Sequence, residues 1–404
     1  MKINFPFTEE LLILNSIFNN VEGNLRIVGG AVRNYLINKQ ISDFDLSCKF
    51  TPEETINILK KNNIKYAPVG IKFGTVIAII NGKPFEITAT REDVSTDGRH
   101  AVVKYISDFE ADSNRRDFTF NALYLDFYGN IYDYHDGISD LHNGIVRFIG
   151  NAETRIKEDY LRVLRFFRFY CYYGTFLDND GLKYSILLKD NLINLSGERI
   201  KAEMIKIFNA DYSVKTLKIM QEHNILQIIT NINDFKYKNL EIFYSIKKFL
   251  SVGIDSILPL ALFINSEDEL NILRERWRLS NKENNEILKL LKYGNKKLNF
   301  KEILFFEENK SFVINLIVYN SILRSDEISC GLSEYIMQQV DFIRKCEIPL
   351  FPITGKDLDL IGQFNKKEYG KVLSFAKWLF VKSDFTLNKN QILEKLLEIK
   401  VEDF

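Results

Sequence analysis

The stretch Leu25–Asp45, LRIVGGAVRNYLINKQISDFD, constrains this chain more than any other. Leu25, Ile27 and Val28 are apolar and β-prone, which predicts the end of a buried strand. Gly29 and Gly30 follow at once, and Ala31 to Leu36 then takes helical spacing. A strand, a glycine turn and a helix start offer backbone N–H groups and the positive end of a helix dipole to a phosphate. Arg33 would add charge-assisted hydrogen bonds to the same group. A second strand is then predicted to carry Asp43 and Asp45. Side chains alternate along a strand, so the two carboxylates would share a face while Phe44 and Leu46 enter the core. Taken singly, a Gly-Gly pair is a turn and an Asp-x-Asp pair a solvated strand edge. In this order and separation, they predict metal-assisted chemistry on a nucleotide.

The next segments supply partners for that site. Thr51-Pro52-Glu53-Glu54 predicts a helix start, with Thr51 as N-cap and Pro52 in the first position. Two strands, Gly74–Ile80 and Pro84–Ala89, are joined by Asn81-Gly82, a hairpin signal. In the second strand Glu86 stands between Phe85 and Ile87, a candidate third acid beside Asp43 and Asp45 or an ordinary polar strand position. Residues 91–114 are polar, with Asp97-Gly98 marking a turn, and predict a long mobile loop or lid. The string RRDFTFNALYLD follows: Phe118, Phe120, Ala122 and Tyr124 alternate as in a strand, with Arg115, Arg116 and Asp117 at its mouth. Those arginines could hold triphosphate oxygens, and Asp117 could accept a hydrogen bond from a ribose hydroxyl. A short strand at Ile145–Ile149 is expected to close the sheet.

From about residue 151 the pattern turns helical to the end. NAETRIKEDYLRVLRFFRF predicts one amphipathic helix in which Asp159, Arg162, Arg165 and Arg168 recur along one stripe. By itself that stripe reads as an exposed face with Asp–Arg ion pairs, worth only tenths of a kcal/mol. Ser196-Gly197-Glu198-Arg199-Ile200 predicts another helix start. Lys289, Lys292, Lys296 and Lys297 form a basic cluster, a solvated face or a contact for RNA phosphates.

The ordered set of GGAVR with DFD, then RRDFTFNA, EDYLR, SGERI and RWRLSNKE, resembles the tRNA nucleotidyltransferase/poly(A) polymerase family of polymerase-β-like nucleotidyltransferases. Asn34 stands where that family usually has an acidic residue. The resemblance implies an α/β (α+β) head with a small mixed or antiparallel sheet, followed by an all-helical neck, body and tail. The expected divisions are 1–150, 151–212, 213–310 and 311–404. It also implies addition of C, C and A to the 3′ end of tRNA from CTP and ATP. Asp43 and Asp45 would hold two Mg2+ ions, with Glu86 beside them still either a third acid or an ordinary polar strand position. Gly29, Gly30, Arg33, Arg115, Arg116 and Asp117 would bind the nucleotide, together with Glu158, Asp159, Arg162, Arg165 and Arg168.

In the family, the Asp and Arg of EDYLR select the base, and donor–acceptor chemistry accounts for it. Cytosine and adenine both present an amino donor beside a ring-nitrogen acceptor. A carboxylate, Asp159, accepts from the former and a guanidinium, Arg162, donates to the latter. Guanine and uracil present the reverse pattern and leave both groups unpaired or repelled, which is costly in a dry pocket. A poly(A) polymerase or an enzyme adding only A or only C would share these motifs. The chain's length and lack of a strongly basic tail favour tRNA. An inactive RNA-binding protein is disfavoured by the intact Asp43, Asp45, Asp159 and Arg162. No paired His-Asp motif predicts an added phosphohydrolase activity.

Composition limits the setting. With 404 residues, 46% of them hydrophobic and 27% charged, the chain exceeds one ordinary core, and roughly two to four domains are expected. A formal net charge of zero means that any RNA-binding surface is a local patch. Cys48, Cys171, Cys330 and Cys346 are scattered, unlike a disulfide framework or zinc cluster. A cytoplasmic protein is expected, without signal peptide, membrane span or obligate protein partner.

Overall fold

The computed structural model describes residues 1–19, 23–96, 101–251, 253–294, 296–328 and 331–398. The chain divides into two compact units. One comprises Met1–Tyr237 with Phe263–Asn284; the other comprises Lys238–Leu262 with Asn285–Phe404.

The first unit opens with α1 (Glu9–Phe18), capped by the Thr8 hydroxyl. A seven-stranded mixed sheet follows. Its strands are β1 (Leu25–Val28), β2 (Asp45–Cys48), β3 (Lys65–Gly70), β4 (Thr75–Ile80) and β5 (Lys83–Ala89), with two more from further along the chain. Helix α2 (Gly30–Leu36) follows β1, and α3 (Pro52–Lys61) follows β2. Thr51 and Glu54 form a capping box on α3 with Pro52 in its first turn, as the sequence predicts. Asn81 and Gly82 both take positive φ, 52° and 78°, in the tight turn that joins β4 to β5. β6 (Arg91–Thr96) pairs with β7 (Ala101–Tyr105) as a separate hairpin, followed by α4 (Phe109–Asn114). β8 (Leu123–Leu125) and β9 (Ile131–Asp133) complete the main sheet, whose order is β3-β4-β5-β2-β1-β8-β9.

All neighbours in that sheet are antiparallel except β2 and β5, which run parallel. Apolar residues of α1, α2 and α3 pack against it, with Leu11, Leu14, Val32, Leu59, Leu25, Ile27, Val76 and Leu123 fully buried. Burying each such side chain is worth roughly 1.5–3 kcal/mol, so this face anchors the site on the strand ends.

Helices then dominate: α5 (Gly137–Asn143), α6 (Ala152–Glu158), α7 (Leu161–Tyr173), α8 (Asn179–Leu187) and α9 (Gly197–Phe208), interrupted by β10 (Ile145–Val146) and β11 (Phe176–Leu177). In the same unit the Trp277 indole N–H donates to the Ile229 carbonyl at 2.7 Å. Arg276 donates to the carbonyls of Leu192 and Leu195, tying RWRLSNKE to the segment before α9. All regular elements among the second unit's described residues are helices, with a core around Phe305, Leu358, Val372, Phe380 and Leu396.

Four local expectations are corrected. Residues 91–96 and 101–114 hold two paired antiparallel strands and a short helix rather than a loop; Asp97-Gly98, the predicted turn, lies outside the described residues. Phe118 to Tyr124 do not alternate. All seven residues are buried, and Thr119–Asn121 forms a 3₁₀ turn before β8, since no face here meets water. Ile145–Ile149 does not close the main sheet: Ile145 and Val146 pair with β11. The predicted single helix from residue 151 breaks into α6 and α7.

Candidate active site

β1 delivers the chain to Gly29, which takes φ +74° and donates its N–H to the Leu123 carbonyl at 3.0 Å. A Cβ at Gly29 would sit 3.4 Å from the Asn121 carbonyl oxygen and 3.9 Å from an Arg116 nitrogen. The positive φ favours glycine here more than the spacing does. The turn therefore lies against Arg116. Gly30 opens α2, so the predicted strand, glycine turn and helix start are present.

Asp45 is the first residue of β2, and Asp43 lies just ahead of it, so only one of the pair is on the strand as predicted. Parallel pairing sets Asp45 directly beside Glu86 of β5. Side chains paired in register point to the same face, and Phe85 and Ile87 on either side of Glu86 are buried. Asp43, Asp45 and Glu86 are all exposed. Desolvation, then the carboxylates of Glu86 and Asp43, push the Asp45 carboxyl above its ordinary range, while Arg116 and Arg33 oppose the rise. Among the described residues, no three His, Cys, Asp or Glu side chains stand close enough together to hold a metal ion as they are. The chemistry still fits a dication: mutually repelling carboxylates, open to solvent, gain most from one.

The basic residues are held by a network. Buried Asp112 accepts from Arg115 Nε at 2.7 Å and from Arg116 at 3.4 Å. It also accepts from the Tyr124 hydroxyl at 2.6 Å, and that hydroxyl accepts from Arg116 Nε at 3.0 Å. Burial opposes the charge of Arg116, yet Tyr124, Asp112 and Asp45 hold its pKa above the usual arginine value. Arg33 is buried, donates to Asn121 Oδ1 at 2.5 Å and to Asn34 Oδ1 at 3.1–3.2 Å, and stacks on Tyr173. Asn34 Oδ1 also accepts from the Tyr173 hydroxyl. A neutral amide thus supports Arg33, and desolvation lowers the Arg33 pKa.

Asp117 is buried, and its oxygens are occupied within the protein. One accepts from the Phe118 N–H at 2.9 Å and Asn121 Nδ2 at 3.1 Å; the other accepts from both Nε and Nη2 of Arg165. Burial would raise its pKa, but Arg165 and Asn121 hold it well below the usual carboxylate range.

The break between α6 and α7 falls at Asp159, whose backbone is extended at φ −156°, ψ 106°. One carboxylate oxygen accepts from the Leu161 N–H at 3.1 Å, which caps α7. The other accepts from Arg199 of α9 at 2.6 Å. Asp159 is therefore off the helical stripe, whereas Arg162, Arg165 and Arg168 share one face of α7. Arg162 is ion-paired with Glu158 at 2.5 Å rather than with Asp159. Arg168 is paired with Glu203 at 2.5 Å and lies over the Phe169 ring.

Three contributors escaped the reading of single residues: Asp112, Asn121 and Arg199. Asn121 and Arg199 lie inside strings already singled out. Asp112 is one acid in a polar run and carries no local signal.

The family model described as "Poly A polymerase head domain" matches residues 25–147, and that described as "Probable RNA and SrmB- binding site of polymerase A" matches residues 185–232. CCA tRNA nucleotidyltransferase 1, mitochondrial, of Danio rerio is 31% identical over 399 residues, covering 96% of this chain and 91% of the relative. The CCA-adding enzyme of Oceanobacillus iheyensis is 31% identical over 294 residues, with 72% and 71% covered. The crystal structure of the Bacillus stearothermophilus CCA-adding enzyme in complex with CTP shares the fold at TM-score 0.79 and 24% identity, covering 97% of this chain and 98% of that one. Identity near one third over almost the whole of both chains places this protein in the tRNA nucleotidyltransferase/poly(A) polymerase family, among the CCA tRNA nucleotidyltransferases.

Proposed function

We propose that this chain adds C, C and A to the 3′ end of tRNA, using CTP and ATP, without a nucleic-acid template. One observation carries the reading. The acidic cluster, the glycine turn and the helix break bearing Asp159 occur in one compact unit of a chain whose near-full-length relatives include CCA tRNA nucleotidyltransferases.

In each cycle the terminal 3′-oxygen forms a bond to the α-phosphorus as that phosphorus loses its bond to the α–β bridging oxygen. Pyrophosphate departs and the hydroxyl proton passes to solvent. Asp43 and Asp45 are the residues that would hold a pair of Mg2+ ions, with Glu86 as the neighbouring acid. Bound there, the ions supply stabilisation of the attacking oxygen and of charge on the departing pyrophosphate.

Gly29, Gly30, Arg33, Arg115 and Arg116 form the triphosphate side, with Asp112 and Asn121 fixing the guanidinium groups. Asp117 orders Arg165 beside the pocket. Asp159 accepts from the amino group of C or A and Arg162 donates to the ring nitrogen. Arg199 and Glu158 hold these two apart, so the pair is set before the base arrives, and ordering costs less on binding. Arg168, through Glu203, stiffens the same face of α7. We also read residues 1–150, 151–212, 213–310 and 311–404 as head, neck, body and tail, the last contacting tRNA. The described cysteines are free thiols, consistent with the cytoplasmic setting we infer.

The test is incubation with tRNA ending before CCA and one labelled nucleotide at a time, with and without Mg2+. C should be incorporated first, A only after both Cs, and U and G scarcely. A Mg2+-independent reaction, or no incorporation by folded protein, would overturn the reading.

A further inference from the structure

One buried cation has no part in that mechanism. Arg155 of α6 is 8% exposed, and its guanidinium spans two segments far apart in the chain. Its Nη2 donates to the backbone carbonyls of Arg115 and, at 2.6 Å, Arg116. Its Nη1 is paired with Glu158 at 2.5 Å. The same Glu158 oxygen accepts from Arg162 at 2.5 Å, and the Arg155 carbonyl accepts from Arg162 at 2.8 Å. Arg155 Nε is buried without a hydrogen-bond partner. An unsatisfied buried donor is unfavourable, and packing alone could be served by an apolar residue at this position.

Resting on the function proposed above, we infer that Arg155 is a positioning residue that couples the triphosphate-holding arginines to the base-reading arginine. On one side it fixes two successive peptide planes. Arg115 and Arg116 then leave a rigid backbone, and Asp112 fixes their side chains. On the other side it shares a carboxylate with Arg162, which places that guanidinium. A planar fork with several fixed N–H directions is required to reach two carbonyls and a carboxylate at once; a lysine ammonium, a compact point charge, does not reproduce it. Correct seating of the triphosphate and correct reading of the base thereby share one tie.

Arg155→Lys keeps the charge and tests the fork. Two quantities are read on tRNA ending before CCA: KM for CTP, and the ratio of kcat/KM for CTP over UTP. At unchanged Tm, KM should rise and the ratio fall, each by roughly tenfold, the worth of a hydrogen bond to a charged group. A change in only one quantity, or in neither, overturns the coupling. A merely structural role lowers Tm and leaves the ratio per folded molecule unchanged. Should Arg155→Lys not fold, Glu158→Gln cuts the Arg162 limb and leaves both carbonyl bonds. It should lower the ratio and leave the inhibition constant of inorganic pyrophosphate, which has no base to read, within about twofold; an unchanged ratio or a weakened grip on pyrophosphate would contradict the proposal. If the wild type itself adds no C, the proposed function has failed rather than the coupling. Equilibrium binding of CTP and UTP then reads the same two quantities, with the same criteria.

Discussion

Replacing Asp159 by Ala tests base selection where the structure makes two roles separable. The carboxylate now accepts from Leu161 N–H at 3.1 Å and from Arg199 at 2.6 Å. Losing the cap costs about 1 kcal/mol. Losing the ion pair adds less than its geometry suggests, because the two side chains are 19% and 27% exposed and solvent screens them. A structural role alone therefore predicts a Tm loss of a few degrees and no change in selectivity. As a reader of the base, Asp159 contributes a charge-assisted bond to C or A worth roughly 1.5–3 kcal/mol. At 1.4 kcal/mol per tenfold, incorporation of C and A should fall roughly 10- to 150-fold. The same change removes repulsion of the uracil and guanine carbonyls, so the CTP/UTP and ATP/GTP ratios should fall further than C or A incorporation does. Asp159→Asn keeps the cap acceptor and serves as the folding control; its amide can turn either end to the base, so it should also admit U and G. The assay is kcat/KM for each nucleotide on tRNA ending before CCA and on tRNA already ending in CC. Unchanged ratios in a folded Asp159→Ala protein would remove this residue from selection.

The remaining predictions address the acids, the hairpin and one close contact. Asp43→Ala or Asp45→Ala should abolish incorporation while the protein stays folded; substantial turnover in Mg2+ by folded Asp43→Ala would remove it from the metal site. The Asp45 pKa is raised in the folded state, so its ionised form opposes folding above that pKa, and this cost fades as pH falls toward the unfolded carboxylate value. Asp45→Asn should therefore raise the Tm of the metal-free, nucleotide-free protein at pH 7, with the difference shrinking on acidification; a lower Tm at pH 7 would refute the assignment of strain to this carboxylate. Shortening the β6–β7 hairpin should spare C addition and impair the final A, whereas equal loss of both steps would mark a purely structural segment. Gly197→Ala would place a Cβ 2.2 Å from the Arg276 carbonyl oxygen and 2.9 Å from Trp277 Cα. Neither atom can yield without moving backbone, so a loss of about 1–3 kcal/mol is expected by denaturant unfolding, and an unaffected midpoint would show that the contact relaxes.

What was legible in the sequence is what local pattern determines. The Gly29-Gly30 turn, the Thr51 capping box, the Asn81-Gly82 hairpin and the alternation around Glu86 are each set by residues within a few positions, and each stands where expected. Errors arose where burial overrode period. Phe118–Tyr124 looked like a strand because its aromatics alternate, but the intervening residues are buried too, which leaves no polar face to define one. The helix break at Asp159 was hidden because IKEDYLRVL holds its helical period straight through it. At the break the Asp159 carboxylate meets a partner 40 residues away, Arg199, which no local period can announce. Likewise, Asp112 gains its importance only when folding brings Arg115, Arg116 and Tyr124 to one carboxylate. Resemblance supplied the roles of Asp159 and Arg162. The helical period could show only that Arg162 shares a face with Arg165 and Arg168.

The most direct measurement is the mass of the product formed when tRNA ending before CCA is incubated with CTP, ATP and Mg2+ together. The two-carboxylate site and the Asp159–Arg162 reader predict a single limiting product, extended by C, C and A, that grows no further. A ladder of A residues, or extension by A alone or by C alone, would contradict it.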